Sequence, residues 1–483
     1  MHKSIQAEMI IKGGIVVDGS GGKEFAADVA LGAGKIIALG NLDDARCEAV
    51  FDARGMRVAP GFIDVHAHDD FACIAEPDQV PKISQGVTTV IVGNCGLSLF
   101  PLEFAHDPIE PFNLLGPAAA YRYSRYADYI AAIEAVRPRV NVAALVGHGA
   151  LRVAAMTNYR RAANGMEIER MRASLDEALR HGVVGMSSGL FYPPAQAAVV
   201  SELTPLVRDV AAAGGVYTTH IRDEYDGVAE ALQEAFQTAS QGGAPLVISH
   251  HKCAGVKNWG RSGETLGMID AARKHQEVCL DCYPYTAGSS VIDPQLADSQ
   301  VEILINWSAK HPECGGRMLE DIAREMGCDQ RAAAERLVPG GASYFQIHED
   351  DMRRILSHPA CMIGTDGLPA DPRPHPRLWG TFPRVLGRYV RELELLPLAT
   401  AVHKMTGLAA DRFRLADRGR IATGLAADLV VFDPDKVNDR ATFHDPRQIS
   451  DGIACVIVNG EIAWRDGRIC GGRHGRFLRR AAS

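Results

Sequence analysis

Eight short apolar runs, each closing on a polar or metal-binding residue and each separated from the next by amphipathic sequence, constrain this chain more than any other feature. They are VAPGFIDVHAH (58–68), VTTVIVGN (87–94), VNVAALVGH (141–148), VVGMSS (183–188), GVYTTH (215–220), PLVISH (245–250), EVCLDCY (277–283) and CMIGTD (361–366). Parallel strands buried on both faces read as near-continuous apolar runs, and their crossover helices as amphipathic stretches. Eight such units predict an α/β fold, a (β/α)8 TIM-like barrel. The helices between them are legible: Ile168, Met171, Leu175 and Leu179 share one face, and Gly182 stands where a C-terminal cap belongs. A barrel of this kind carries its chemistry at the C-terminal mouth of the strands, which is where the polar closures fall.

The flanks have a different texture. Residues 9–60 and 419–470 alternate short apolar and polar stretches around glycine-rich turns, with Asn459-Gly460 a strong hairpin signal, as expected for short antiparallel strands. Neither flank has enough strands to enclose a core, so both termini together predict one small β-sandwich domain. The expected organisation is residues 1–60 and 415–483 as the β-domain and 61–414 as the barrel. The long excursion at 285–345, with helical stretches such as 316–336, reads as a lid or specificity insertion.

With 47% hydrophobic and 23% charged residues, the chain resembles an ordinary globular protein. A net charge of −8, with no basic tract beyond Arg476, Arg479 and Arg480, argues against nucleic acid as a partner. No apolar run reaches the ~18 residues of a membrane span, and Met1 to Ile10 lacks a signal peptide's apolar core, so the expected location is cytoplasmic, with no membrane partner. Eleven cysteines scattered from Cys47 to Cys470 are not a secreted disulfide framework and are expected to be reduced. Cys279 and Cys282 form a CxxC, but in a strand residues i and i+3 project to opposite faces, which argues against a redox or metal pair. Self-association is left open by the sequence.

His66 and His68 lie two apart at a strand end, so both imidazoles face one side and can grip one ion. Alone such a pair is weak evidence. His220 and His250 each end a later run, however, Asp366 ends the last, and Cys95 follows the second in GNCG, where a thiolate would favour zinc over harder ions. His148 and His251 sit close to these positions. Strand alternation turns His251 away from His250, and His148 fits a supporting hydrogen-bonding role better than a ligand role.

With PGFIDVHAH at 60–68, the chain resembles the amidohydrolase superfamily. More narrowly it is similar to the N-acyl-D-amino-acid deacylases, through KISQGVTTVIVGNCG (82–96), FYPP (191–194), SHHK (249–252), DCYPYTAGS (281–289), GTDGLP (364–369) and HPRLWGTFPRVLG (375–387). This resemblance implies a main zinc ion held by Cys95, His220 and His250, with His66, His68, Cys95 and Asp366 outlining a second, weaker position. The lysine that bridges two metals in most binuclear amidohydrolases is missing from the fourth run. Two imidazoles and a thiolate leave a tetrahedral zinc one open position for water, whose pKa the metal lowers. Asp366 would then take a proton during attack on the amide and return it to the departing nitrogen, or serve as a plain ligand. The resemblance also implies that Arg377 pairs with the substrate's α-carboxylate, helped by Lys252, Tyr283 and Ser289, and that Tyr192 lies near the acyl group.

The implied reaction is hydrolysis of a small N-acyl-D-amino acid. Two other readings compete: a cyclic amidase of the dihydroorotase or hydantoinase kind, against which the missing lysine counts, and a non-catalytic barrel scaffold, against which the retained ligand candidates count. SVIDPQLADSQVEILINW, after Ser289, contains no Lys or Arg, and it offers Val291, Ile292, Leu296 and the acidic Asp293. If it lines the pocket, apolar D-side chains are preferred, because an unpaired buried carboxylate costs several kcal/mol.

Overall fold

The computed structural model describes residues 5–297 and 300–481, so Asp298 and Ser299 of the segment after Ser289 lie outside the described residues. Eight parallel strands follow one another around a single sheet in chain order: β1 (Phe62–Asp64), β2 (Val87–Val92), β3 (Asn141–Gly147), β4 (Gly185–Gly189), β5 (Val216–His220), β6 (Leu246–Ile248), β7 (Val278–Cys282) and β8 (Cys361–Ile363). Each falls within one of the eight apolar runs to within a residue. The helix Gly165–Arg180, between β3 and β4, buries Met171, Leu175 and Leu179 and ends before Gly182, whose φ is +88°. Its start carries a signal that the apolar spacing alone did not reveal, a reciprocal cap between Asn164 and Glu167.

The barrel closes between β8 and β1 by a different device from the other joints. Only short backbone contact spans this seam: Asp366 N–H donates to His66 O at 2.7 Å, and Ala67 bridges Gly367. Side chains complete it. The buried Asp64 carboxylate accepts from the Thr365 N–H (2.8 Å), the Thr365 hydroxyl (2.7 Å) and Lys82 Nζ (2.8 Å), and Lys82 also pairs with Asp69 at 3.0 Å. Gly364 is required here, since a Cβ would lie 2.4 Å from His66 Cβ. The seam thus locks His66 and Asp366, from opposite ends of the barrel sequence, side by side.

The terminal strands build two facing sheets around Ile11, Val29, Phe51, Leu429, Val431 and Ile457. One contains Gln6–Lys12, Asp28–Gly32, Lys35–Gly40 and Arg46–Asp52. In the other, Arg57–Pro60 of the N-terminal part pairs antiparallel with Leu429–Phe432 of the C-terminal part. The expected hairpins are present, including the Asn459-Gly460 turn between Ile453–Val458 and Glu461–Arg465. Gln6–Lys12 nevertheless pairs in parallel with Arg46–Asp52, and Ile15–Val16 in parallel with Arg57–Pro60. The chain crosses between sheets, and hairpin chemistry acts only on sequence neighbours.

Between β7 and β8 the chain forms an antiparallel sheet from Gly288–Val291, Ile303–Ser308, Arg317–Met318 and Gly340–Tyr344. Two helices, Leu319–Met326 and Gln330–Leu337, complete its own core with Ile305, Ile322 and Leu337. The last residues return to the barrel: Phe477 and Leu478 are buried in its core, and Arg480 donates to the carbonyls of Leu179, Val183 and Ala213. No helix among the described residues is long and apolar enough to cross a membrane.

Candidate metal centre and substrate cleft

The mouth gathers residues from six of the eight strands into one buried cluster. His66 and His68 follow β1, Cys95 follows β2, His220 ends β5, His250 follows β6 and Asp366 follows β8, with Asp281 inside β7. Cys95, His250 and Asp366 have φ of +54°, +35° and +49°, a region L-residues seldom occupy. Each chain reversal aims its side chain back across the mouth. Gly189, at the end of β4, lets the Cys95 turn lie against the sheet, where a Cβ would meet Cys95 O at 2.1 Å.

Cys95 Sγ stands 3.2 Å from His66 Nε2 and 3.3 Å from His250 Nε2. Asp366 Oδ1 lies 3.5 Å from His66 Nε2 and 3.2 Å from His68 Nε2. One donor atom from each of His66, Cys95, His250 and Asp366 falls within 4.8 Å of the others, and His250 is shared with a second group, His220 and Glu224. Burial disfavours the Cys95 thiolate, but the surrounding charge of His66 and His250 outweighs this and holds the thiol well below its ordinary pKa. Burial lowers the pKa of the His220 imidazole, which faces the Cys95 sulfur. A buried imidazole facing a thiol that ionises readily is a donor set suited to a soft divalent ion such as zinc.

The sequence reading had not picked out the carboxylates behind the imidazoles. Asp281 Oδ1 accepts the His250 backbone N–H at 2.9 Å and lies 3.2 Å from His66 Nδ1, so one carboxylate orients the His66 imidazole and holds the His250 backbone. Glu224 lies 2.9 Å from His250 Nδ1. Their signals were present: Glu224 follows His220 by four residues in HIRDE, and Asp281 is a polar residue inside a buried strand. His251 points away and bonds the Thr265 hydroxyl at 2.9 Å. His148 meets Glu202 at 3.1 Å, and Glu202 also holds Arg152, in a separate buried network. Cys282 approaches Cys361 at 3.3 Å across neighbouring strands rather than Cys279.

The remaining candidates line one cleft above the cluster, including Tyr192, Lys252, Tyr283, Ser289 and Arg377. Arg377 is buried with Nη1 2.9 Å from Asp366 Oδ2, and Nη2 donates to the Ser289 carbonyl at 3.2 Å. Its guanidinium lies 4.5 Å from the Tyr283 ring centre, over one face, with Lys252 Nζ at 5.8 Å. Burial opposes ionisation of Asp366, yet Arg377 and the imidazoles keep its carboxyl well below the usual carboxylate range. The Ser289 hydroxyl accepts from Asn306 at 3.0 Å, and Tyr192 packs edge-on against His220. Leu97, Leu114, Phe191, Val291 and Leu296 form the apolar part of the cleft.

The amidohydrolase family model matches residues 49–312 and 315–463. The chain belongs to the amidohydrolase family. Within it, the chain is 47% identical to a D-aminoacylase of Alcaligenes xylosoxydans xylosoxydans over 99% of its own length and 98% of the relative's. An N-acyl-D-glutamate deacylase of the same organism is 48% identical, covering 99% and 97% of the two chains. An N-acyl-D-aspartate deacylase is 47% identical, covering 98% and 95%. A D-aminoacylase crystal structure superposes with a TM-score of 0.95 at 47% identity, covering 98% of this chain and all of that one. The N-acyl-D-glutamate deacylase of Bordetella bronchiseptica, complexed with zinc and a phosphonate mimic of the tetrahedral intermediate, superposes equally well at 46% identity over the same share of both chains. A D-hydantoinase, with a TM-score of 0.61 at 16% identity over 98% and 99% of the two chains, shares the fold alone.

Proposed function

We propose that this amidohydrolase is a zinc-dependent N-acyl-D-amino-acid deacylase that releases a carboxylate and a free D-amino acid with an apolar side chain. The observation that carries this reading is the buried set of Cys95, His66, His250 and Asp366 lying directly under Arg377 in one cleft. Cys95, His220 and His250 would hold the tight zinc ion, and His66, His68, Cys95 and Asp366 would outline the weaker position. Held there, zinc would supply a water nucleophile at neutral pH and polarise the amide carbonyl.

The protein's own groups do the rest. Arg377 receives the substrate α-carboxylate through its planar guanidinium, with Lys252 against the same Tyr283 ring. The arriving carboxylate competes with Asp366 for Arg377, which frees Asp366 Oδ2 to accept a proton and hand it to the departing amine nitrogen. Tyr192 and Phe191 border the acyl side and keep water from it. The inserted sheet between β7 and β8 serves as a lid over the cleft. A cytoplasmic location fits the dispersed cysteines of the chain.

The side-chain preference follows from charge. The cations lining the cleft are Lys252 and Arg377, each already facing a carboxylate, Glu224 and Asp366 respectively. Val291 and Leu296 lie beside Asp293, which would repel a second substrate carboxylate. N-acetyl-D-methionine should therefore exceed N-acetyl-D-glutamate in kcat/KM, with N-acetyl-D-aspartate also poor. A clear advantage for glutamate overturns the pocket reading, and hydrolysis confined to cyclic amides overturns the function.

A further inference from the structure

Glu224 is buried, follows β5, and faces three groups at once. Its Oε1 lies 2.9 Å from His250 Nδ1 and 2.5 Å from Lys252 Nζ, and its Oε2 lies 3.8 Å from His220 Nε2. With His220 and His250 it has the composition of a metal site. The Lys252 ammonium already supplies the positive charge there, 2.9 Å from His250 Nδ1. That leaves the carboxylate a different task.

An imidazole that accepts a metal at one nitrogen needs a proton on the other, and a carboxylate at that second nitrogen fixes both the tautomer and the ring plane. His66 has this arrangement through Asp281, with Nε2 toward Cys95. His250 repeats it through Glu224: Nδ1 lies 2.9 Å from the carboxylate Oε1 and 2.9 Å from Lys252 Nζ, and Nε2 lies 3.3 Å from Cys95 Sγ; a metal at Nε2 requires the proton on Nδ1, and of these two neighbours only the carboxylate can accept it. The same oxygen accepts from Lys252, so one atom orients a metal ligand and the cation that flanks the α-carboxylate subsite.

We propose that Glu224 is a positioning residue that couples the zinc ligand His250 to the substrate-facing Lys252. This rests on the deacylase reading of the cleft. Loss of the carboxylate releases two restraints together. His250 gains a second tautomer that presents a proton rather than a lone pair toward Cys95, which weakens the metal site. Lys252 loses its counter-charge and swings away from the Tyr283 face, which weakens the substrate's hold without touching the reacting bond. Asp281, acting on His66 and on the His250 backbone, cannot substitute, because it does not reach Lys252 or His250 Nδ1 by any contact among the described residues.

The test is Glu224→Gln, near-isosteric and uncharged, examined on the full chain by two independent readouts. Chelator competition on the purified protein should show zinc affinity lowered about 10- to 100-fold, the usual scale for removing such a partner. At saturating zinc, KM for N-acetyl-D-methionine should rise while kcat stays within about threefold, the pattern of lost ground-state binding. The double variant E224Q/K252M removes both buried charges and preserves folding if the single variant loses it. It should retain the lowered zinc affinity, since His250 still lacks its carboxylate. Wild-type zinc affinity in either folded variant, or a fall in kcat with KM unchanged in Glu224→Gln, overturns the proposal. A wild-type protein that binds zinc but hydrolyses none of the N-acyl-D-amino acids fails the deacylase reading instead, and the chelator measurement still decides the role of Glu224 toward the metal.

Discussion

The same unusual backbone conformation occurs at the mouth of the barrel and at the tips of the β-sandwich, with opposite surroundings. In the sandwich, Ala33, Asn459 and Asp466 have φ near +50° and each precedes a glycine in a two-residue turn. There a left-handed residue is ordinary turn chemistry, inexpensive for Asn and relieved by glycine. At the mouth, Cys95, His250 and Asp366 take the same φ while buried and surrounded by one another. Glycine would relax each of them and would lack the sulfur, imidazole or carboxylate the position presents. Strain of about 1–3 kcal/mol per residue is tolerated where the side chain is needed and the surrounding structure imposes the conformation.

The comparison can be broken most severely at Cys95. Cys95→Ala keeps a Cβ and the same backbone demand but removes the sulfur shared by the imidazoles, and it should lose tightly held zinc and turnover together, checked by metal analysis and an N-acetyl-D-methionine assay. Full zinc and full activity in that variant would mean the turn is structural, like those of the sandwich.

A smaller effect separates side chain from strain at Asp366. Asp366→Ala and Asp366→Gly should each retain zinc while kcat falls on the order of 10²-fold or more, the scale of a lost acid/base group. The glycine variant should be the more stable of the two in urea by about 1 kcal/mol, because only the alanine keeps the left-handed penalty. Zinc lost with turnover surviving would make Asp366 a ligand only.

The smallest effect belongs to the exposed turn. Asp466→Gly should stabilise the protein by about 0.5–1 kcal/mol in urea unfolding and leave kcat/KM unchanged. Destabilisation there would show that the Asp466 side chain supports the hairpin more than its φ opposes it.

Much of this architecture was legible in the chain because burial on both faces writes itself into local sequence. All eight barrel strands fall in the runs read from apolar texture, and the Asn459-Gly460 hairpin follows from what a tight turn demands. The HxH pair was legible for the same reason, since alternation puts residues i and i+2 on one face. The parallel pairing of Gln6–Lys12 with Arg46–Asp52 was not, because nothing local specifies a partner some forty residues away. Nor were Asp281 and Glu224 picked out: a buried carboxylate has no periodicity, and its meaning depends on which imidazole nitrogen it meets.

By itself, then, the sequence determined the order of the strands, the two-ended β-domain and the set of side chains available at the strand ends, because these depend on patterns spanning only a few residues. Which of those side chains touch was decided by tertiary structure alone. The seam joining Asp64, Lys82 and Thr365 brings His66 to Asp366 across the whole length of the barrel sequence, and the left-handed turns aim Cys95 and His250 at each other. Metal and proton chemistry depend on separations of about 3 Å, and only the closed barrel sets distances on that scale between residues hundreds of positions apart.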